Sequence, residues 1–158
     1  QRRLYVINLK SKKLLHHTLV AHGENSGEKY VSSFSNEYGS GKNSLGFYTT
    51  AETYMGKHGY SLKLDGREAK YNGNVRRRVI ALHGSNYATW NYLRENGVLG
   101  KSEGCPSVPR SKSRDIIDSV KNGSCFFVYY NDNEYLKQSK FLNAEKALNR
   151  FKERKILK

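Results

Sequence analysis

The chain has 158 residues, 28 Lys and Arg against 14 Asp and Glu for a formal net charge of +14, and a composition 37% hydrophobic and 12% aromatic. That length suits one domain able to bury roughly two-thirds of the surface its unfolded form exposes, while a mean hydropathy of −0.79 and the absence of any run near ~20 consecutive apolar residues exclude a membrane-spanning helix. The positive excess draws the protein toward polyanions such as nucleic acid, anionic membrane or bacterial wall polymer without saying which, and two cysteines are too few for a disulfide framework.

Gln1-Arg2-Arg3 leads straight into a strand-like run, so no signal peptide is expected in this stretch, and a cropped or processed N-terminus is expected. Leu4 to Leu9 and Leu14 to Val20 flank the polar Lys10-Ser11-Lys12-Lys13 and predict a β-hairpin. From Gly23 to Gly46 the chain is rich in Gly, Ser and Asn and has no sustained period, which predicts a long functional loop. Short strands follow at Gly46 to Thr49, Tyr60 to Leu64 and Val75 to Leu82, separated by turns at Asp65-Gly66 and Asn72-Gly73. Tyr87, Trp90, Leu93 and Arg94 then fall at helical spacing between an N-cap at Ser85 and a stop at Gly97. A second helix is expected over Ser113 to Val120, closed by Asn122-Gly123, and an apolar strand over Ser124 to Tyr130. Ala144, Ala147, Leu148 and Phe151 lie on one face of an amphipathic C-terminal helix at about 143–157. The reading is a single mainly β domain with short helices (α+β) over 1–158, its core at about 4–130.

The residues that carry chemistry are Cys105, in the turn-like Ser102-Glu103-Gly104-Cys105-Pro106, and His83, which ends the apolar Val79 to Leu82. A thiol attacks as thiolate, and an imidazole in reach takes its proton and returns it to a leaving amine. Gly104 leaves room for substrate against the backbone, and the Gly104 and Cys105 amides are candidates for an oxyanion hole. With no acidic partner evident, the Gly84 carbonyl is the candidate for fixing the His83 tautomer. Residue types alone leave other readings open: unrelated core residues, a zinc site without metal-ligand spacing, or a Cys105–Cys125 disulfide. Cys125 itself, in the apolar Cys125 to Tyr130, reads as a packed thiol. His22 and His58 each precede a glycine at a loop mouth and are candidates for substrate contact, whereas His16 and His17 belong to the hairpin. Arg76 and Arg78 would share one face of a strand and grip a carboxylate or phosphate.

Ser102-Glu103-Gly104-Cys105-Pro106 downstream of Leu82-His83-Gly84 resembles the catalytic signature of YkuD-type L,D-transpeptidase catalytic domains. Val20 to Gly23, Phe34-Ser35-Asn36, Ser44 to Tyr48, Gly56 to Leu62 and Gly123 to Tyr130 resemble a variant branch of the same family, so the likeness spans most of Leu4 to Tyr130. The resemblance implies a β-rich domain acting on peptidoglycan stem peptides. Cys105 would attack the carbonyl of the L-centred third stem residue, expel the terminal D-amino acid and pass the acyl group from a thioester to an amine. It implies His83 as base, Gly84 as its orienting carbonyl and Gly104 and Cys105 as oxyanion-hole amides; the expected substrate-binding residues, from the chain's own pattern, are His58, His22, Tyr60, Arg78 and Ser102. The common signature has His before the Gly-Cys pair and Arg soon after it, where this chain has Glu103 and Pro106-Ser107-Val108. Water as acceptor would make the enzyme an L,D-carboxypeptidase. No metal or organic cofactor is implied, and an exported, periplasmic or envelope location follows from the substrate, with anionic wall polymers as partners of the basic surface. A non-catalytic basic wall-binding domain is the reading from another class. Nucleic acid is not expected, because no aromatic RNA-binding pattern, zinc-finger spacing or helix-turn-helix signal is present. The 23–46 loop is expected to close over substrate and keep water from the thioester.

Overall fold

The computed structural model describes residues 1–143; the expected C-terminal helix at about 143–157 lies almost wholly outside them. Two sheets carry the fold. β1 (Leu4–Asn8) and β2 (Lys13–Thr18) form the predicted antiparallel hairpin, with a bulge at Val6/Ile7. The second sheet has five strands: β3 (Gly46–Gly56), β4 (Gly59–Gly66), β5 (Ala81–Ser85), β6 (Ser107–Pro109) and β7 (Cys125–Val128), in the spatial order β6-β5-β4-β3-β7. All neighbours in it are antiparallel except β5 and β6, which run parallel in the register His83 to Ser107. The architecture is mostly β with short helices: α1 (Ala69–Asn72), α2 (Trp90–Asn96), α3 (Arg110–Val120) and α4 (Asn133–Gln138).

The core has two parts. Ile116 and Ile117 of α3 pack on Leu62, Leu82 and Val108 of the sheet and on Leu4 of the hairpin, which fastens the small sheet to the large one. Tyr48, Leu64, Val75 and Ile80 form the other part, and Cys105 packs against it. Completely burying a side chain of this size stabilises by about 1.5–3 kcal/mol, so the strands beneath Cys105 are well anchored.

The structure corrects several local expectations. Val75–Val79 is a succession of turns, and the strand begins only at Ala81. Backbone bonds make this corner, with the Val75, Arg78, Val79 and Ile80 N–H groups donating to the Asn72, Asn74, Arg76 and Val75 carbonyls, and Asn74 ties it to Asn36, donating from its N–H to Oδ1 and from its Nδ2 to the carbonyl, where an extended run was expected. Arg76 and Arg78 therefore do not share a strand face. The helix after β5 starts at Trp90, capped by Thr89, whose Oγ1 accepts from the Tyr92 N–H, rather than by Ser85, which is the last residue of β5. Gly97 ends it in the left-handed conformation as expected. Cys125 is exposed and free, not packed, because β7 is an edge strand whose alternation turns it outward. Missed in the sequence, α4 is capped by Asp132 and held by fully buried Tyr135, whose hydroxyl donates to the Glu68 carboxylate at 2.9 Å.

Candidate active site

β5 carries His83, the candidate base. Ala81 and His83 point to one face of the strand, and both sit on ladders: Ser61 of β4 pairs with His83 on one side and Ser107 of β6 on the other. His83 is 2% exposed. Its Nδ1 lies 3.2 Å from the Gly84 carbonyl, which accepts only, so Nδ1 carries the ring proton and Nε2 is the basic nitrogen. Gly84 has no room for a side chain, since a Cβ there would lie 2.5 Å from Ser113 Oγ and 3.1 Å from the Arg110 Cα. The absence of a side chain at Gly84 thus lets α3 close onto the strand that presents His83.

Cys105 lies beside the beginning of the same strand. Its Sγ accepts from the Ala81 N–H at 3.4 Å and is 3.9 Å from the Val79 carbonyl. Val79 is 70% exposed and has φ +56°, a conformation that a β-branched residue rarely adopts; the strained turn sets this edge of the thiol pocket. Burial pushes the thiol above its ordinary pKa, opposed by the Ala81 amide, and Glu103 adds to the rise. Burial also lowers His83 to about 4, opposed by the Gly84 carbonyl, while His58, Arg110 and Lys57 lower it further. At neutral pH the two groups therefore rest as neutral thiol and neutral imidazole. No hydrogen bond joins them: Nε2 faces Ser107 Oγ at 3.0 Å.

The turn that holds Cys105 is built by Ser102 and Asn43. Ser102 Oγ donates to the Cys105 carbonyl at 2.6 Å and accepts from the Gly104 N–H at 3.2 Å. That bond takes one of the two amides expected in the oxyanion hole and leaves the Cys105 N–H as the available donor among the described residues. Gly104 has φ +114°, and a Cβ would lie 2.6 Å from the Lys42 carbonyl, so only glycine fits. Asn43, which the sequence reading did not single out, is 7% exposed, accepts from the Gly23 N–H at 2.8 Å and donates to the Gly104 carbonyl at 2.8 Å. It joins both ends of the 23–46 loop to the cysteine turn. No periodicity or motif flags it, because its partners are backbone groups remote in sequence.

The remaining candidates divide. His58 is at the site: its ring stacks on His83 with centroids 4.1 Å apart and planes at 10°. Burial holds His58 below its usual pKa, with Lys57 adding to this. His22 is buried behind the cysteine turn, its Nε2 3.0 Å from the Gly27 carbonyl and its Nδ1 3.2 Å from Arg3, while its carbonyl accepts from Ser102 N–H. Arg78 sits close enough to Cys105 to influence it, but its guanidinium is spent on the loop, donating to the Ser35 and Lys42 carbonyls and to Ser44 Oγ and Ser40 Oγ. Arg76 is paired with Asp65 and Glu52. Tyr60 turns to α3, where its hydroxyl donates to Asp118 at 2.7 Å and Arg114 lies over its ring. None of the residues of α2 is buried; Tyr87, ahead of it, is the residue of that stretch that reaches the His83 network.

Cys105 and Cys125 are both free, and no cluster of His, Cys, Asp or Glu suited to a metal ion occurs among the described residues. No described helix is long and apolar enough to cross a membrane. No curated protein matches the chain. A family model described as the L,D-transpeptidase catalytic domain, YkuD_2, matches residues 1–129 and so takes in β1 to β7, Cys105 and His83. With most of its length matched, the chain belongs to the L,D-transpeptidase catalytic domain family.

Proposed function

We propose that the protein is a cysteine-dependent peptidoglycan L,D-transpeptidase. The observation that supports this best is the pairing of a half-buried thiol against the start of β5 with an imidazole two residues along the same strand face, its Nδ1 held by a carbonyl. The S–H proton of Cys105 passes to His83 Nε2 as sulfur attacks the carbonyl of the third stem residue. The Cys105 N–H stabilises the oxyanion. Collapse breaks the peptide bond, His83 returns the proton to the leaving amine, and the acyl group remains as a thioester. An incoming stem amine then attacks, loses its proton to Nε2, and releases the thiolate, which is reprotonated from His83.

Because the ground state is neutral, His83 acts as a general base during attack rather than as one half of a preformed ion pair. The 23–46 loop, pinned by Asn43 at its ends and by Arg78 along 35–44, stands as a wall on one side of the thiol and limits water there without a hinge motion. Peptidoglycan lies outside the cytoplasmic membrane, so the site of action is the envelope, where the +14 charge favours anionic wall polymer.

The test is intact mass after incubation with a disaccharide-tetrapeptide, with and without an amine acceptor, for wild type, Cys105→Ala and His83→Gln. A wild-type acyl adduct and cross-linked product, both absent from the variants, are expected. Tripeptide alone would reassign the enzyme as an L,D-carboxypeptidase, and wall binding that survives Cys105→Ala without any adduct would make it a binding domain.

A further inference from the structure

Ser107 is the first residue of β6 and is completely buried, at 0% exposure. Backbone bonds fix it from both sides: β6 pairs it with His83, and its N–H and C=O exchange bonds with Ala21 at 3.2 and 2.8 Å. Its Oγ is 3.0 Å from His83 Nε2 and 3.1 Å from the Tyr87 hydroxyl. Gly100 makes room for Tyr87, since a Cβ there would come within 2.4 Å of the Tyr87 Cβ.

Donor and acceptor bookkeeping gives this chain a direction. With the ring proton on Nδ1, neutral His83 presents only a lone pair at Nε2, so Ser107 donates to it and Tyr87 donates to Ser107. When Nε2 takes up a proton it becomes a donor, and the whole chain can reverse. Ser107 Oγ then accepts from Nε2–H, turns its own hydrogen to the Tyr87 oxygen, and half-buried Tyr87 points its hydrogen toward solvent. We propose that Ser107 and Tyr87 are positioning residues that form a reversible hydroxyl chain, supporting the His83 imidazole in both of its protonation states. This rests on the reading of His83 as the base.

The chemistry needs such a device. The other groups facing the ring are His58, stacked on it from the β3–β4 turn, Lys57 beside that, and Arg110 from α3, and all of them oppose a positive charge. The Gly84 carbonyl favours the imidazolium at Nδ1, and Ser107 supplies the corresponding acceptor at Nε2, where the transferred proton arrives. A charge-assisted bond is about twice as strong as a neutral one, so Ser107 favours the imidazolium more than the neutral ring. No covalent bond changes in the reversal; the two hydroxyl hydrogens of Ser107 and Tyr87 rotate, and the proton on Nε2 is the one taken from the thiol.

The test is a titration of the His83 ring nitrogens by NMR in the free protein, assigned with His83→Gln, for wild type, Ser107→Ala, Ser107→Thr and Tyr87→Phe. Wild type is expected in the Nδ1–H form. In Ser107→Ala the imidazolium should become about tenfold more acidic, the loss of roughly one charge-assisted bond, and Tyr87→Phe should shift it the same way by less. Ser107→Thr should restore the wild-type titration. An Nε2–H tautomer in wild type, or unchanged titrations in Ser107→Ala and Tyr87→Phe, would overturn the proposal; if Ser107→Ala does not fold, Tyr87→Phe decides alone. The titration uses no substrate, so its failure is separate from failure to form a thioester. In turnover, the acid limb of kcat/KM should move with the NMR titration in each variant, and a limb that stays fixed while His83 moves would also count against it.

Discussion

Asn43→Ala tests whether the wall and the nucleophile's turn are one structural unit. All four hydrogen-bonding groups of Asn43 are engaged: its N–H donates to Ser26 Oγ, its C=O accepts from Ser35 N–H, Oδ1 accepts from Gly23 N–H, and Nδ2 donates to the Gly104 carbonyl. Truncation removes the last two bonds and leaves a buried amide and a buried carbonyl without partners. Each orphaned group costs about 1–3 kcal/mol, so the variant should lose about 2–6 kcal/mol in denaturant unfolding, with the slope unchanged. The same loss frees the carbonyl of Gly104, one residue before the thiol, so acylation should fall together with stability. Asn43→Asp separates the two bonds: it keeps the acceptor for Gly23 but sets a carboxylate oxygen against the Gly104 carbonyl, and it should be at least as destabilised as Asn43→Ala. A loss under about 0.5 kcal/mol in Asn43→Ala, the range of an ordinary surface change, would refute the reasoning.

Other outcomes follow from the same contacts. Alkylation of Cys105 by iodoacetamide should be slow at pH 7 and rise only above the ordinary thiol range, with His83→Gln altering it little; a fast, pH-independent rate near neutrality would show an ion pair instead. Because His83 titrates near 4 in the fold and near 6.5 when unfolded, the unfolded chain binds more protons between those values. Its contribution to stability is therefore complete above 6.5 and lost as pH falls toward 4, and a midpoint scan over that window should be flatter in His83→Gln. Arg78→Lys replaces a planar fork that makes four bonds to 35–44 by a point donor, and should cost about 2 kcal/mol and open that segment to limited proteolysis. Ser85→Ala removes a buried hydroxyl that has no partner among the described residues, so it should raise stability by about 1 kcal/mol; an unchanged or lower thermal midpoint would contradict that.

What was legible in the sequence is what local pattern determines. The hairpin at Leu4–Asn8 and Lys13–Thr18, the stop at Gly97 and the apolar face of α3 each follow from alternation, a turn residue or helical spacing. Cys105 and His83 stood out in the sequence as candidates by residue type, and the Gly84 carbonyl lies beside the His83 ring as expected. The misses share a cause, which is that side chains satisfy backbone groups far away in sequence. Asn74, at the start of the Val75–Val79 corner, is tied to Asn36, and Arg78 becomes a loop clamp through Ser35 and Lys42. Tyr60 alternates correctly on its strand, but the sheet order, which no local pattern encodes, puts that face under α3.

Burial acts on the two reactive groups in opposite directions, and this shapes how the site works. It raises the thiol and lowers the imidazole, so both rest uncharged and neither costs the fold an unpaired buried charge. The same arrangement makes Cys105 a poor nucleophile toward an electrophile that merely diffuses in. On the function proposed above, reaction requires a carbonyl positioned so that sulfur attack, proton transfer to Nε2 and capture of the oxyanion by the Cys105 N–H happen together. On that same proposal, the Ala81 amide on the sulfur does its work late, when the thiolate leaves the acyl group and a hydrogen bond to sulfur is worth most. A site of this kind derives selectivity from positioning rather than from thiolate concentration, which matches the effort the fold devotes to its walls: Asn43 and Arg78 on one side, His58 on another, and the Ser107–Tyr87 pair beneath the base.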